Sequence, residues 1–140
     1  MKPFTVTLLC ILFLAGCTKT TPQPNVAGRV KYMPSLEPLV GEWDGEDGFA
    51  LLVKRDGQEI VINNSPNDDV RFEISDVSSG DSSVSFTQHH FLQDGTPNLF
   101  SEVACKCTIE VVKEKPDSLR FTIRSPDLPE GESEIYTRRK

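Results

Sequence analysis

Cys105-Lys106-Cys107 carries the most reactive side chains that this sequence sets close together. Two residues apart on an extended strand, both thiols fall on one face. Thiol–disulfide chemistry mostly uses two intervening residues and a helix N-terminus that lowers one thiol pKa, and neither is visible around Cys105. A disulfide within the pair meets a geometric obstacle. Positions i and i+2 on a regular strand lie about 6.5 Å apart, near the upper limit of the usual Cα range, so a bulge would be required. The pair reads as two packed thiols, with a bulged or shuffled disulfide as the alternative and catalysis or metal binding behind both.

His89 and His90 are the only histidines. With a hairpin turn at Gly95-Thr96, Phe91 is expected to face Phe100 and His90 to face Ser101. That register leaves His90 about 13 Å from Cys105 along the strand, far outside a zinc shell with bonds of about 2.0–2.3 Å. No metal site and no cofactor are expected. Gln88, His90 and Ser101 point inward together in this reading, and converging polar groups at the mouth of an apolar barrel are what a ligand site requires. The competing reading is a wet barrel end. On the outer face, Phe91 and Phe100 form an aromatic pair that offers a partner site, or else packs on Tyr32 and Met33.

The acidic turns Asp44-Gly45-Glu46-Asp47-Gly48 and Asn67-Asp68-Asp69 lack the ligand spacing of a calcium loop, and no nucleophile-elbow, zincin or phosphate-loop motif occurs. The chain is expected to be non-enzymatic.

The elements that must position these residues follow a period of two. Phe49, Leu51 and Val53 share a face, then Ile60 and Ile62 after Asp56-Gly57. Asp-Gly between alternating runs is a hairpin signal, and a turn there pairs Val53 with Ile60 and Leu51 with Ile62. Val70, Phe72 and Ile74 alternate, then Val84 and Phe86, then Cys105, Cys107, Ile109 and Val111, then Leu119, Phe121 and Ile123, with a last short strand over Ile135–Arg138. Eight antiparallel strands in consecutive hairpins are expected, over residues 36–140. They close most easily into a small up-and-down β-barrel, which removes exposed edges. Strands this short predict an interior mostly filled by side chains rather than a deep lipid cavity.

Ahead of the barrel, Met1-Lys2 gives a basic start and residues 4–15 an apolar run of twelve, too short for the roughly 20 residues that span a bilayer. The run ends in Leu14-Ala15-Gly16-Cys17, which resembles the lipobox of bacterial lipoproteins at every position. The resemblance implies a signal peptide over residues 1–16 that is cut away, a diacylglycerol on Cys17, and N-acylation of the same residue. Multiple acyl chains hold a protein firmly, each buried CH₂ contributing about 0.8 kcal/mol. Thr18 in place of an aspartate implies transfer to the outer membrane, with the domain facing the periplasm. Residues 17–35 read as the lipidated cysteine and a flexible tether, with Pro22, Pro24, Gly28 and Pro34 and no sustained period. Its end carries Val26, Val30, Tyr32 and Met33, apolar enough to pack on the domain instead.

Gly41-Glu42-Trp43 on the first strand resembles the Gly-x-Trp signature of the lipocalin and avidin superfamily of meander barrels. Trp43 is the single tryptophan. The resemblance implies an arginine late in the last strand packed across the indole, and Arg138 or Arg139 is placed for that role. It covers the two ends of the domain, and it makes Trp43 and its arginine structural residues.

Removal of Lys2 with the leader leaves fourteen basic side chains against twenty-one acidic, a charge of −7. Such a domain is unsuited to nucleic acid, which calls for a clustered basic surface, and suits a cationic protein better. The first expectation for function is a membrane-anchored binding module for a small apolar or amphipathic envelope ligand at Gln88, His90 and Ser101. The second is a protein-binding barrel, such as an inhibitor of a cationic envelope-attacking enzyme similar to lipoprotein lysozyme inhibitors. The third is a structural accessory of an envelope assembly, docked through Phe91 and Phe100.

Overall fold

The alternation of apolar and polar residues becomes a single antiparallel sheet rolled into a nearly closed barrel. The computed structural model describes residues 24–46, 48–65, 69–93 and 104–140. Among the described residues nine strands form the wall: β1 (Gly28–Lys31), β2 (Gly41–Asp44), β3 (Ala50–Asp56), β4 (Glu59–Asn64), β5 (Val70–Ser79), β6 (Ser83–Leu92), β7 (Cys105–Val112), β8 (Lys115–Ser125) and β9 (Leu128–Arg138). Their order around the sheet is β1-β4-β3-β2-β9-β8-β7-β6-β5. The inner face carries the expected side chains: Leu51, Val53, Ile60, Ile62, Ile74, Val84, Phe86, Ile109, Leu119 and Phe121 are buried in one core, and Phe72 is buried towards one end of the barrel.

Four features depart from the expectation. The first is the ninth strand. The end of the tether, expected to run to residue 35 or else to pack on the domain, takes the second course: from Asn25 onward it belongs to the barrel, with Val30, Tyr32 and Met33 against the core. β1 pairs with β4, and Tyr32 donates its backbone N–H to Gln58 O at 2.7 Å.

The second is the seam. β4 and β5 are not joined as a consecutive hairpin; the chain around Val26 fills the gap between them. Val26 N–H donates to Phe72 O and Ile74 N–H to Val26 O, both at 2.9 Å, in a parallel bridge. Asn25 spans the gap with its amide, donating to Asn64 O at 3.0 Å and accepting from Phe72 N–H at 2.9 Å. Two open sheet edges would otherwise expose unpaired backbone groups.

The third is register. In the first long hairpin Val53 pairs with Ile62 and Arg55 with Ile60, two residues along from the expected partners. The turn is Gly57-Gln58, with Gly57 at φ 59°, as a type II′ turn asks of its first central residue. A slip of two keeps every side chain on its face, so alternation cannot separate the two registers.

The fourth is a bulge. Between Ser75 and Ser78 β5 gains a residue against β6, and Asp76 adopts φ 50°, the left-handed region that aspartate tolerates better than most side chains. The bulge flips the parity, so Val77 rather than Asp76 packs against the core.

One end of the barrel is sealed. A 3₁₀ helix over Pro34–Leu39 lays Leu36 and Leu39 across it, at 0% and 1% exposure. Trp43 is fully buried beneath, and its indole N–H donates to Leu39 O at 2.9 Å. Arg138, paired with Trp43 across β2 and β9, lies over the ring at 4.3 Å and donates to Val40 O (2.7 Å) and Pro38 O (3.0 Å). The guanidinium fork thus ties helix, indole and last strand together. Arg139 turns outward instead, to Asp44 and Glu42.

Candidate functional site

At the other end the inner face changes character, and the strands run out of aliphatic residues before they run out of length. On β4 the inward series Ile60, Ile62 continues to Asn64; on β6 the series Val84, Phe86 continues to Gln88 and His90. These polar ends line an open cavity of about 260 Å³ whose walls are aromatic: Phe49 and Phe72 on one side, Phe121 and Tyr136 on the other. Phe49 meets Phe72 edge-on at 5.9 Å, and Tyr136 stacks on Phe121 at 5.4 Å. The middle of the barrel is packed, so the cavity is a cup at the mouth, slightly smaller than the roughly 300 Å³ at which most ligand pockets begin.

A directed hydrogen-bond chain forms one wall. Asn64 Nδ2 donates to Gln88 Oε1 at 2.9 Å, leaving the Gln88 amide nitrogen against His90 Nε2 at 2.7 Å. An amide nitrogen only donates, so His90 Nε2 accepts and the ring proton sits on Nδ1. This makes His90 a neutral imidazole. Burial, and then the neighbouring His89, lower its pKa below the usual value. Phe72 meets the imidazole edge-on at 4.9 Å.

The sign of the pH dependence follows. Between the lowered folded-state pKa and the unfolded value near 6.5, the unfolded chain binds a proton that the native state refuses. Stability is expected to fall as pH drops through about 6.5 and to level off below the folded-state value. Urea denaturation from pH 7.5 downward, wild type against His90→Phe, checks this. An equal pH dependence in the two proteins would remove His90 as its source.

The structure brings together two of the three expected ligand residues, Gln88 and His90, and Ser101 lies outside the described residues. The expected facing of His90 with Ser101 assumed a register that β6 and β7 do not adopt: Gln88 pairs with Cys105 and Phe86 with Cys107, again two residues along. Of the expected aromatic pair, Phe100 also lies outside the described residues. Phe91 is on the outer face, where Arg71 lies over its ring at 4.7 Å and His89 stacks at 6.3 Å. Tyr32 has its ring under Arg55 at 3.8 Å. The lipobox and Cys17 lie outside the described residues.

Cys105 and Cys107 are both buried on the inner face as thiols, with no disulfide between them. Burial raises both pKa values, and beside Cys105 the Cys107 thiol is pushed up to about 12. Both side chains point into the apolar interior of the barrel. Among the described residues no cluster of three metal-ligating side chains occurs, and no helix is long and apolar enough to cross a membrane.

Asn64, Glu132, Glu134 and Tyr136 were not anticipated at the site. Asn64 carried a signal, since it shares the parity of Ile60 and Ile62. β9 carried less: its residues 128–134 are polar, and its one buried side chain is Tyr136, not Ile135. No protein-family model, curated protein or solved structure matches this chain.

Proposed function

We propose that this chain is a lipid-anchored binding barrel of the bacterial cell envelope, whose open end takes a small amphipathic molecule. The cavity carries the reading: aromatic walls for an apolar body, with the Asn64–Gln88–His90 chain as polar groups that fix its orientation. The burial of both cysteines as thiols fits binding rather than covalent turnover. The lipobox resemblance supports the anchor on Cys17 and the envelope address.

The test is native mass spectrometry of the full chain expressed in a bacterial envelope and extracted in detergent. At about 30 Å³ per water-sized volume, the cavity suits a ligand on the order of 150 Da. A retained adduct of that order is expected on wild type. His90→Phe should keep the fold by circular dichroism and lose the adduct, its affinity falling about tenfold with the loss of a polar contact of about 1.4 kcal/mol. A bare wild-type domain, or one carrying a second protein in place of a small adduct, would count against the reading. The same spectra read the diacylglyceryl mass on Cys17.

A further inference from the structure

The inward face of β9 holds an anomaly. Glu132, Glu134 and Tyr136 share one parity, and Tyr136 is buried in the core. The other two therefore present carboxylates to the cup, directly across from β8 side chains that are apolar: Glu134 pairs with Phe121 and Glu132 with Ile123. Other inner-face positions at this end also set a polar side chain against an apolar one, Asn64 against Leu51, Gln88 against Ile74 and His90 against Phe72, but those polar groups are amides and an imidazole, whereas β9 supplies carboxylates. Glu134 is also held in place, accepting the Glu46 backbone N–H at 2.7 Å. Among the described residues that line the cavity there is no lysine or arginine.

Two fixed-sign groups thus stand at the rim of an aromatic cup. Glu132 is exposed and Glu134 half-buried, and carboxylates at the mouth of a cleft raise the local concentration of cations. Aromatic faces attract the same charge through their quadrupoles. An anion would meet repulsion from both, and a neutral ligand could gain at most a hydrogen bond to the carboxylates without the charge attraction.

We infer that the ligand of this cavity is a small organic cation, an amine or quaternary ammonium on an apolar body, with its charge between Glu132 and Glu134 and its body against Phe49, Phe72, Phe121 and Tyr136. The inference rests on the binding reading above and adds the sign of the ligand.

Three probes share one skeleton and differ in charge: 3-phenylpropylammonium, 3-phenylpropan-1-ol and 3-phenylpropionate. Each is titrated into the full chain in detergent micelles, reading the amide resonances of Gln88 and His90. The ammonium is expected to bind at least fivefold more tightly than the alcohol and the carboxylate most weakly, the preference shrinking as salt is raised. The Glu132→Gln/Glu134→Gln double variant keeps an acceptor for the Glu46 N–H. It is expected to abolish the ammonium's advantage while leaving the alcohol's affinity within about twofold. Equal binding of ammonium and alcohol, or tighter binding of the carboxylate, overturns the cationic assignment and leaves the cavity as a binding site. Failure of all three to shift Gln88 and His90 overturns both.

Discussion

Trp43→Ala is expected to remove about 3–5 kcal/mol of folding stability, the usual cost of deleting a fully buried large aromatic. For a domain whose total stability is of order 5–15 kcal/mol, that leaves the barrel at the edge of folding. The loss is compound. Leu36 and Leu39 rest over the indole, the Leu39 carbonyl loses its donor, and Arg138 loses the ring it covers. Because Trp43 is the single tryptophan, its removal also removes the fluorescence signal, so the measurement is guanidinium denaturation followed by far-ultraviolet circular dichroism. A double-mutant cycle of Trp43→Leu with Arg138→Met is expected to show coupling of about 1 kcal/mol for the cation over the ring. Strict additivity would mean that Arg138 acts through its bonds to Val40 and Pro38 and its ion pair with Asp117, and not through the ring.

The second large effect is expected at Gly28. A Cβ there would stand 2.4 Å from Ile74 Cγ2 and 2.6 Å from Val77 Cγ2, across the seam between β1 and β5. Both neighbours are β-branched methyls on stiff side chains, so they cannot swing aside cheaply. Gly28→Ala is expected to cost about 1–3 kcal/mol by overpacking, and Gly28→Val more. Thermal unfolding gives the number. Repeating it in an Ile74→Ala background separates causes: the cost of Gly28→Ala should shrink there, because the nearest clashing methyl is gone. An undiminished cost would place the fault in the backbone of β1 instead.

The contrast between what alternation revealed and what it hid has one physical source. Period two assigns faces, and here it assigned them correctly for Leu51, Ile62, Phe72, Phe86, Cys107 and Leu119. It is blind to translations by two, which is why both the Val53–Ile62 and the Phe86–Cys107 pairings slipped unnoticed. It also says nothing about closure. β1 is four residues long, and its role depends on Asn25 and Gly28, one a side-chain clasp and the other a missing side chain. Neither has a period. At the site, Gln88 and His90 were legible because they extend a clear apolar series. Glu132 and Glu134 were not, because a polar strand with one buried residue offers no series to extend.

The seam has a further consequence, for how the molecule is hung. Asn25 clasps Asn64 and Phe72, and both of these line the cup. The chain therefore leaves the domain beside the mouth and not beside the sealed end. Only eight peptide steps separate Asn25 from Cys17, a leash of at most about 28 Å when fully drawn out. With the acyl chains on Cys17 as proposed, the barrel would hang mouth-down, its opening held over the lipid headgroups and its plugged pole turned away. Cargo would then be exchanged with the bilayer surface across a gap shorter than the membrane is thick, and a longer leash would weaken that exchange without touching a single residue of the cup.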